Sequence, residues 1–104
     1  MEHISFVLQI DPKDYEAYKE RHERVYPELE AKFAEVGIHS YHIYYHEGTL
    51  FAYMLVEHFD DAMRQLEQDP ANLRWQEYMK DMLLPWDNGS TVKRIPGMYS
   101  FVKP

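Results

Sequence analysis

Residues 3–10, HISFVLQI, alternate Ile4, Phe6, Leu8 and Ile10 with Ser5, Val7 and Gln9, the two-residue period of a strand with one buried face. Asp11-Pro12 follows and reads as a helix start, an Asp N-cap with proline in the first turn. That helix is predicted to run to about Arg24, because Pro27 disfavours helical angles at Tyr26. A second helical stretch, Pro27 to Val36, places Leu29, Phe33 and Val36 on one stripe, and Gly37 closes it. The aromatic and β-branched run IHSYHIYYH (38–46) reads as a strand, EGT as a turn, and LFAYMLVEHF (50–59) as the antiparallel partner. DDAMRQLEQ predicts a short helix and ANLRWQEYMKDMLL, after Asp69-Pro70, another. Pro85 to Ser90 reads as a loop with a tight turn at Asn88-Gly89, and the tail GMYSFVKP as a last strand.

The order is βαββαβ, with each helical region split by a proline. It predicts an α+β, ferredoxin-like plait over residues 1–104 as one domain, an antiparallel sheet with helices on one face. Such a sheet leaves its other face open, and a second copy of the chain is the simplest cover. The expectation is a homodimer whose sheets pack face to face into a dimeric α/β barrel.

Composition narrows the function classes. At 45% apolar and 15% aromatic residues the chain is globular in type. A formal charge of −7, with basic residues interleaved among acids, argues against nucleic acid and against an anionic membrane surface. No run approaches the roughly 18 apolar residues of a membrane span, and the first ten residues carry no Lys or Arg to mark a signal peptide. The expected compartment is therefore the cytoplasm. With no cysteine, disulfides and thiolate chemistry are excluded.

Candidate chemistry centres on AYKERHERVYPELE (17–30). Tyr15, Tyr18 and His22 are three and four residues apart and share one helix face, whereas Glu16, Glu20 and Glu23 lie mostly elsewhere. His22 therefore belongs to the stripe that meets the sheet, as a packed structural histidine or as a proton-transfer group. On the middle strand, alternation puts His39, Tyr41, Ile43 and Tyr45 on one face and His42, Tyr44 and His46 on the other. Tyr41 could then meet His22 across a cavity, and two phenols with an imidazole suit a ligand rich in hydroxyls. In RWQEYM (74–79), Trp75 is either core or a flat wall for a sugar ring. His42 and His46 share a face but stand roughly 13 Å apart along a strand, too far for one ion, so no metal site is expected. Glu57 ends an apolar strand and suits a strand-end salt bridge.

YKERHERVYPELE, with a Tyr, an Arg-His pair and an aromatic-Pro-Glu-Leu segment, resembles the signature of the L-rhamnose mutarotase family. FVLQIDP, GIHSYHIY, LFAYMLVE and RWQEYM agree in order and spacing across nearly the whole chain. The resemblance implies a cofactor-free dimeric enzyme that interconverts the α and β anomers of L-rhamnose. It implies that His22 is the proton donor, that Tyr18 and Tyr41 contact the sugar, and that Trp75 and Gln76 occupy the place of an aromatic pair. Gln76 departs from the Trp-Trp form, and Tyr26 stands where many members carry Trp. The same plait also hosts cofactor-free monooxygenases and lactone isomerases, and sugar-sensing modules without catalysis. The polar trio of Tyr18, Tyr41 and His22 speaks against the first, and the lack of an output domain against the second.

Overall fold

The computed structural model describes residues 1–104. The chain forms β1 (Glu2–Ile10), a 3₁₀ turn (Pro12–Asp14), α1 (Tyr15–His22), α2 (Pro27–Glu35), β2 (Ile38–His46), β3 (Thr49–Val56), α3 (Phe59–Leu66), α4 (Pro70–Met79), β4 (Leu83–Leu84) and β5 (Lys93–Ile95). All pairings are antiparallel in the order β2-β3-β1-β4, with β5 also on β1. This is the expected α+β plait. One contiguous core fills the space between helices and sheet: Ile4, Phe6, Leu8 and Ile10 from β1, Leu50, Ala52, Met54 and Val56 from β3, and Leu29, Ala62, Leu66 and Trp75 from the helices.

Proline and aspartate set the helix boundaries. Asp11 accepts from the Lys13 amide and caps the 3₁₀ turn, and Asp69 accepts from the Asn72 amide at 3.0 Å and caps α4. α1 ends at His22, two residues earlier than predicted, and Tyr26 takes the extended angles (φ −59°, ψ 128°) that a following proline imposes. Pro27 then opens α2, where its missing N–H is no loss. The β2–β3 hairpin turns at Glu47-Gly48, both with positive φ. Gly48 is also held close to β1: its carbonyl accepts from the Ile10 amide at 2.9 Å, and a Cβ there would meet the Ile10 carbonyl oxygen at 3.2 Å.

Three sequence expectations are corrected. α4 stops at Met79 instead of running to Leu84: Arg21 donates to the Tyr78 carbonyl at 2.8 Å in its last turn, and Leu83-Leu84 pairs with Gln9 and Ile10 as a short strand. The last strand is Lys93–Ile95, whereas residues 97–104 form no strand, because Pro96 has no N–H with which to continue the ladder on β1. His39 does not share a face with Tyr41. A register shift between Ile38 and Ser40 inverts the alternation there, so Ile38 is buried and His39 is exposed. His39 Nε2 instead lies 2.8 Å from Glu57, the strand-end pairing expected of that carboxylate.

Candidate functional site

α1 presents Tyr15, Tyr18 and His22 toward the sheet side, with Tyr18 buried and the other two half-buried. The Tyr18 and His22 rings stack at 4.5 Å, and the His22 ring meets Trp75 of α4 edge-on at 5.2 Å. His22 is thus held between two aromatic rings and half-buried. Its Nδ1 lies 3.0 Å from the Tyr18 carbonyl oxygen, one helical turn back. A carbonyl only accepts, so Nδ1 carries the hydrogen. In the neutral ring Nε2 is then the bare nitrogen, free to take a proton, and in the cation it is the N–H free to give one. Burial lowers the His22 pKa below the usual histidine value, against a smaller opposing effect of the Tyr18 carbonyl.

β2 brings Tyr41 to the same side. Its ring packs against Phe6 of β1 at 6.1 Å and Phe33 of α2 at 5.9 Å. Burial pushes the Tyr18 phenol up to about 12. Burial pushes Tyr41 up as well, and the neighbouring Tyr18 adds to it, which places the two phenols in one another's field. Both hydroxyls are therefore neutral near pH 7, able to donate and to accept. No polar side-chain atom in the molecule is sealed away without a partner. Neither phenol hydroxyl bonds to another protein group, so both reach space that water or a ligand can enter.

Trp75 is buried at the centre of an aromatic wall, with Tyr26 edge-on at 5.3 Å and Tyr78 at 5.9 Å. Tyr26 and Tyr78 also line a recess of about 350 Å³, with Ala17, Glu20, Arg21 and Arg24. The Arg21 guanidinium lies 4.4 Å from the Tyr78 ring centre and pairs with Asp81 at 3.0 Å. The Arg21 hydrogen bond holds the Asp81 carboxyl below its usual range.

Of the five residues singled out in the sequence, ring contacts join His22 to Tyr18 and Trp75, while Tyr41 stands on the same side of the sheet, packed on Phe6 and Phe33 and within the field of Tyr18. Gln76 is set apart. It is exposed, its amide lies 3.4 Å from Asn72, and it lines a surface groove with Leu73, Glu77, Lys80, Leu83 and Thr91. Successive helix residues diverge by roughly 100°, so Trp75 inward places Gln76 off that axis. Sequence reasoning did not find Arg21, whose partners Tyr78 and Asp81 are 57 and 60 residues away. The histidines His39, His42 and His46 are exposed, and no three His, Asp or Glu side chains converge as a metal would need.

Comparison with known proteins identifies the family. A family model described as L-rhamnose mutarotase matches residues 3–100. An L-rhamnose mutarotase of Burkholderia ambifaria (strain MC40-6) is 32% identical over 103 residues, covering 95% of this chain and 98% of that one. Its counterpart in Acidiphilium cryptum (strain JF-5) is 35% identical over 85 residues, covering 80% and 81%. The crystal structure of an L-rhamnose mutarotase from Formosa agariphila superposes with a TM-score of 0.83 over 98% of this chain and 100% of that one, at 24% identity, and so shows the shared fold. With a family match over residues 3–100 and relatives above 30% identity across most of its length, the chain belongs to the L-rhamnose mutarotase family.

Proposed function

We propose that the protein interconverts the α and β anomers of L-rhamnose, or of a close deoxyhexose, by general acid–base catalysis without a cofactor. The observation that carries the reading is the His22 ring, clamped between Tyr18 and Trp75 with Nδ1 tied to a carbonyl. That leaves Nε2 as the one free nitrogen of a ring stacked on the Tyr18 phenol. Ring opening moves a proton onto the ring oxygen and passes one from the anomeric hydroxyl to a water molecule as the C1–O5 bond breaks. The aldehyde then turns about C1–C2, and closure reverses both transfers. His22 Nε2 donates to the ring oxygen in opening and takes the proton back in closure. Tyr18 and Tyr41 hold sugar hydroxyls, and Trp75 offers an apolar wall.

General acid–base assistance is typically worth about 10² to 10⁴ in rate, which suffices for a reaction that sugars already undergo in water. Gln76 lies outside the group of four and would meet a sugar only through movement of its side chain. Saturation transfer between the α and β anomeric protons of L-rhamnose tests the reading: protein at micromolar concentration should raise the exchange rate in proportion to its concentration. Binding without faster exchange would instead assign the site to sensing.

We further propose that the working form is a homodimer joined through the outer sheet face. Val7, Phe51 and Tyr44 are cross-strand neighbours there; Val7 is already buried within its own chain, whereas Phe51 and Tyr44 are exposed. Exposed aromatic side chains on adjacent strands are the kind of surface a second copy covers. No helix is long and apolar enough to cross a membrane, and we place the enzyme in the cytoplasm with a free monosaccharide as its substrate.

A further inference from the structure

The two ends of α1 are held by different means. Its first turns are fixed by packing: Tyr15 stacks on Tyr45 of β2 with ring centres 4.2 Å apart, and Tyr18 is buried. After His22 the chain leaves the helix, and residues 23–26 reach α2 as a turn and an extended step. The backbone N–H groups of Glu23 and Arg24 bond only back into α1. His22 is therefore the last residue of a helix, the place where helices fray. Proton transfer nevertheless needs its Nε2 held in one direction.

Arg21 supplies a tie that the backbone does not. Its side chain is only 21% exposed, and it alone among the side chains of α1 hydrogen-bonds to another element. Nη1 donates to the Tyr78 carbonyl oxygen at 2.8 Å and to Asp81 Oδ1 at 3.0 Å, while the guanidinium lies 4.4 Å from the centre of the Tyr78 ring. The Tyr78 carbonyl belongs to the last turn of α4, where carbonyls have no partner within the helix. A cation there also meets the negative end of the helix dipole. Trp75, one turn back on α4, packs on both Tyr78 (5.9 Å) and His22 (5.2 Å). The contacts close a ring: Arg21 to Tyr78, Tyr78 to Trp75, Trp75 to His22, and the backbone from His22 to Arg21.

We propose that Arg21 is a positioning residue for His22. By clamping the last turn of α1 to the last turn of α4, it seats the imidazole against Trp75 and fixes where Nε2 points. Arginine is the side chain this task needs. A planar fork can lie on the Tyr78 ring while donating to a carbonyl and a carboxylate, whereas the lysine ammonium is a point charge that cannot do both. The bonds of Arg21 go to neither Tyr18 nor Tyr41, the residues read above as holding the sugar. The inference rests on the acid–base reading of His22 given above.

The test uses the full chain carrying Arg21→Gln, Arg21→Lys or Asp81→Asn. Arg74→Gln is the control, since it breaks a comparable tie from α4 to α2 through Glu28. Each variant gives kcat and KM from the concentration dependence of anomer exchange on L-rhamnose. Each also gives an imidazole ¹H–¹⁵N spectrum, in which the His22 signals are identified by their absence in His22→Asn. A displacement of about 1 Å at a reacting group costs up to about 100-fold in rate. Both Arg21 variants should therefore lose about tenfold or more in kcat, and Asp81→Asn less, with KM held within about twofold. In the same variants the His22 ring protons should lose the ring-current shift of their aromatic neighbours, and Arg74→Gln should leave both readouts unchanged. Where Arg21→Gln does not fold, Asp81→Asn, which alters a side chain 64% exposed, carries the test. Wild-type His22 signals in the variants, a fall in kcat without movement of those signals, a raised KM at wild-type kcat, or an equal effect of Arg74→Gln would each overturn the clamp. The spectrum reads the seating of His22 whether or not the sugar exchanges, so a full chain without exchange activity would count against the mutarotase reading alone.

Discussion

Helices α1 and α3 have the same length, eight residues, and occupy corresponding places in the two halves of the plait, yet they are built for different tasks. α3 carries Phe59, Ala62, Met63 and Leu66 at the spacing of one apolar face, and Ala62 and Leu66 are fully covered. Its sheet-facing stripe has no polar atom. α1 uses the same spacing for Tyr15, Tyr18 and His22, and only Tyr18 is fully covered. Every residue of that stripe brings an apolar body and a polar tip. α3 therefore anchors the fold, whereas α1 combines packing with a line of hydroxyl, hydroxyl and imidazole turned toward the interior. The protein places its chemistry where ring stacking can replace aliphatic packing, so that acid–base groups are held without being sealed.

The sharpest way to break this comparison is to remove the polar tip from α1. His22→Ala should reduce catalysed anomer exchange at least 100-fold, the lower bound of what a positioned acid–base group supplies. The melting temperature should change little, because the half-buried ring gives up two aromatic contacts but no sealed hydrogen bond. The checks are saturation-transfer exchange on L-rhamnose and a thermal melt of the same sample. Exchange at the wild-type rate in His22→Ala would end the assignment of the site.

The converse change belongs in α3. Leu66→Ala leaves a cavity in the core and should destabilise the fold by about 2–5 kcal/mol, read from urea unfolding. Exchange per folded molecule should stay within about twofold of wild type, since Leu66 carries no polar group and α3 supplies none of the four site residues. If Leu66→Ala lowered activity as much as His22→Ala, the division of labour between the two helices would be wrong.

How far the sequence displayed all this varies by region. Periodicity alone put Tyr18 and His22 on one face and Tyr41 on the helix side of β2, because both periods run undisturbed there. The same rule misplaced His39, since a bulge shifts parity and leaves no mark in a run of β-formers. The apolar Leu83-Leu84 pair fits a helix end or a strand equally well, and only its pairing with Gln9 and Ile10 decides. Lys-Arg-Ile at 93–95 carries no apolar alternation, whereas Tyr-Ser-Phe-Val at 99–102 has it and finds no partner within its own chain. Alternation reports that a segment can pair, not with what. The Arg21–Asp81 contact joins residues 60 apart and had no local signal.

The smallest effects, and the ones that sharpen the comparison most, come from pH. Burial depresses the His22 pKa below the unfolded value, about 6.5. Between the two values the unfolded chain binds more protons at this site than the folded one, so stability rises with pH. The contribution is complete above the unfolded pKa. It is lost as pH falls from there through the lower folded value, and below that it no longer changes. His22→Asn should flatten that part of the stability curve, measured by urea unfolding at half-unit steps from pH 7.5 to 4.5, whereas Leu66→Ala should shift the whole curve down and keep its slope. The same pKa shapes catalysis with the opposite sign. If Nε2 donates to the ring oxygen, kcat/KM for exchange requires the cation and should decline as pH rises through a value below 6.5. A rate that instead climbs through that value would make His22 the base at the anomeric hydroxyl, and would move the acid role to one of the two neutral phenols beside it.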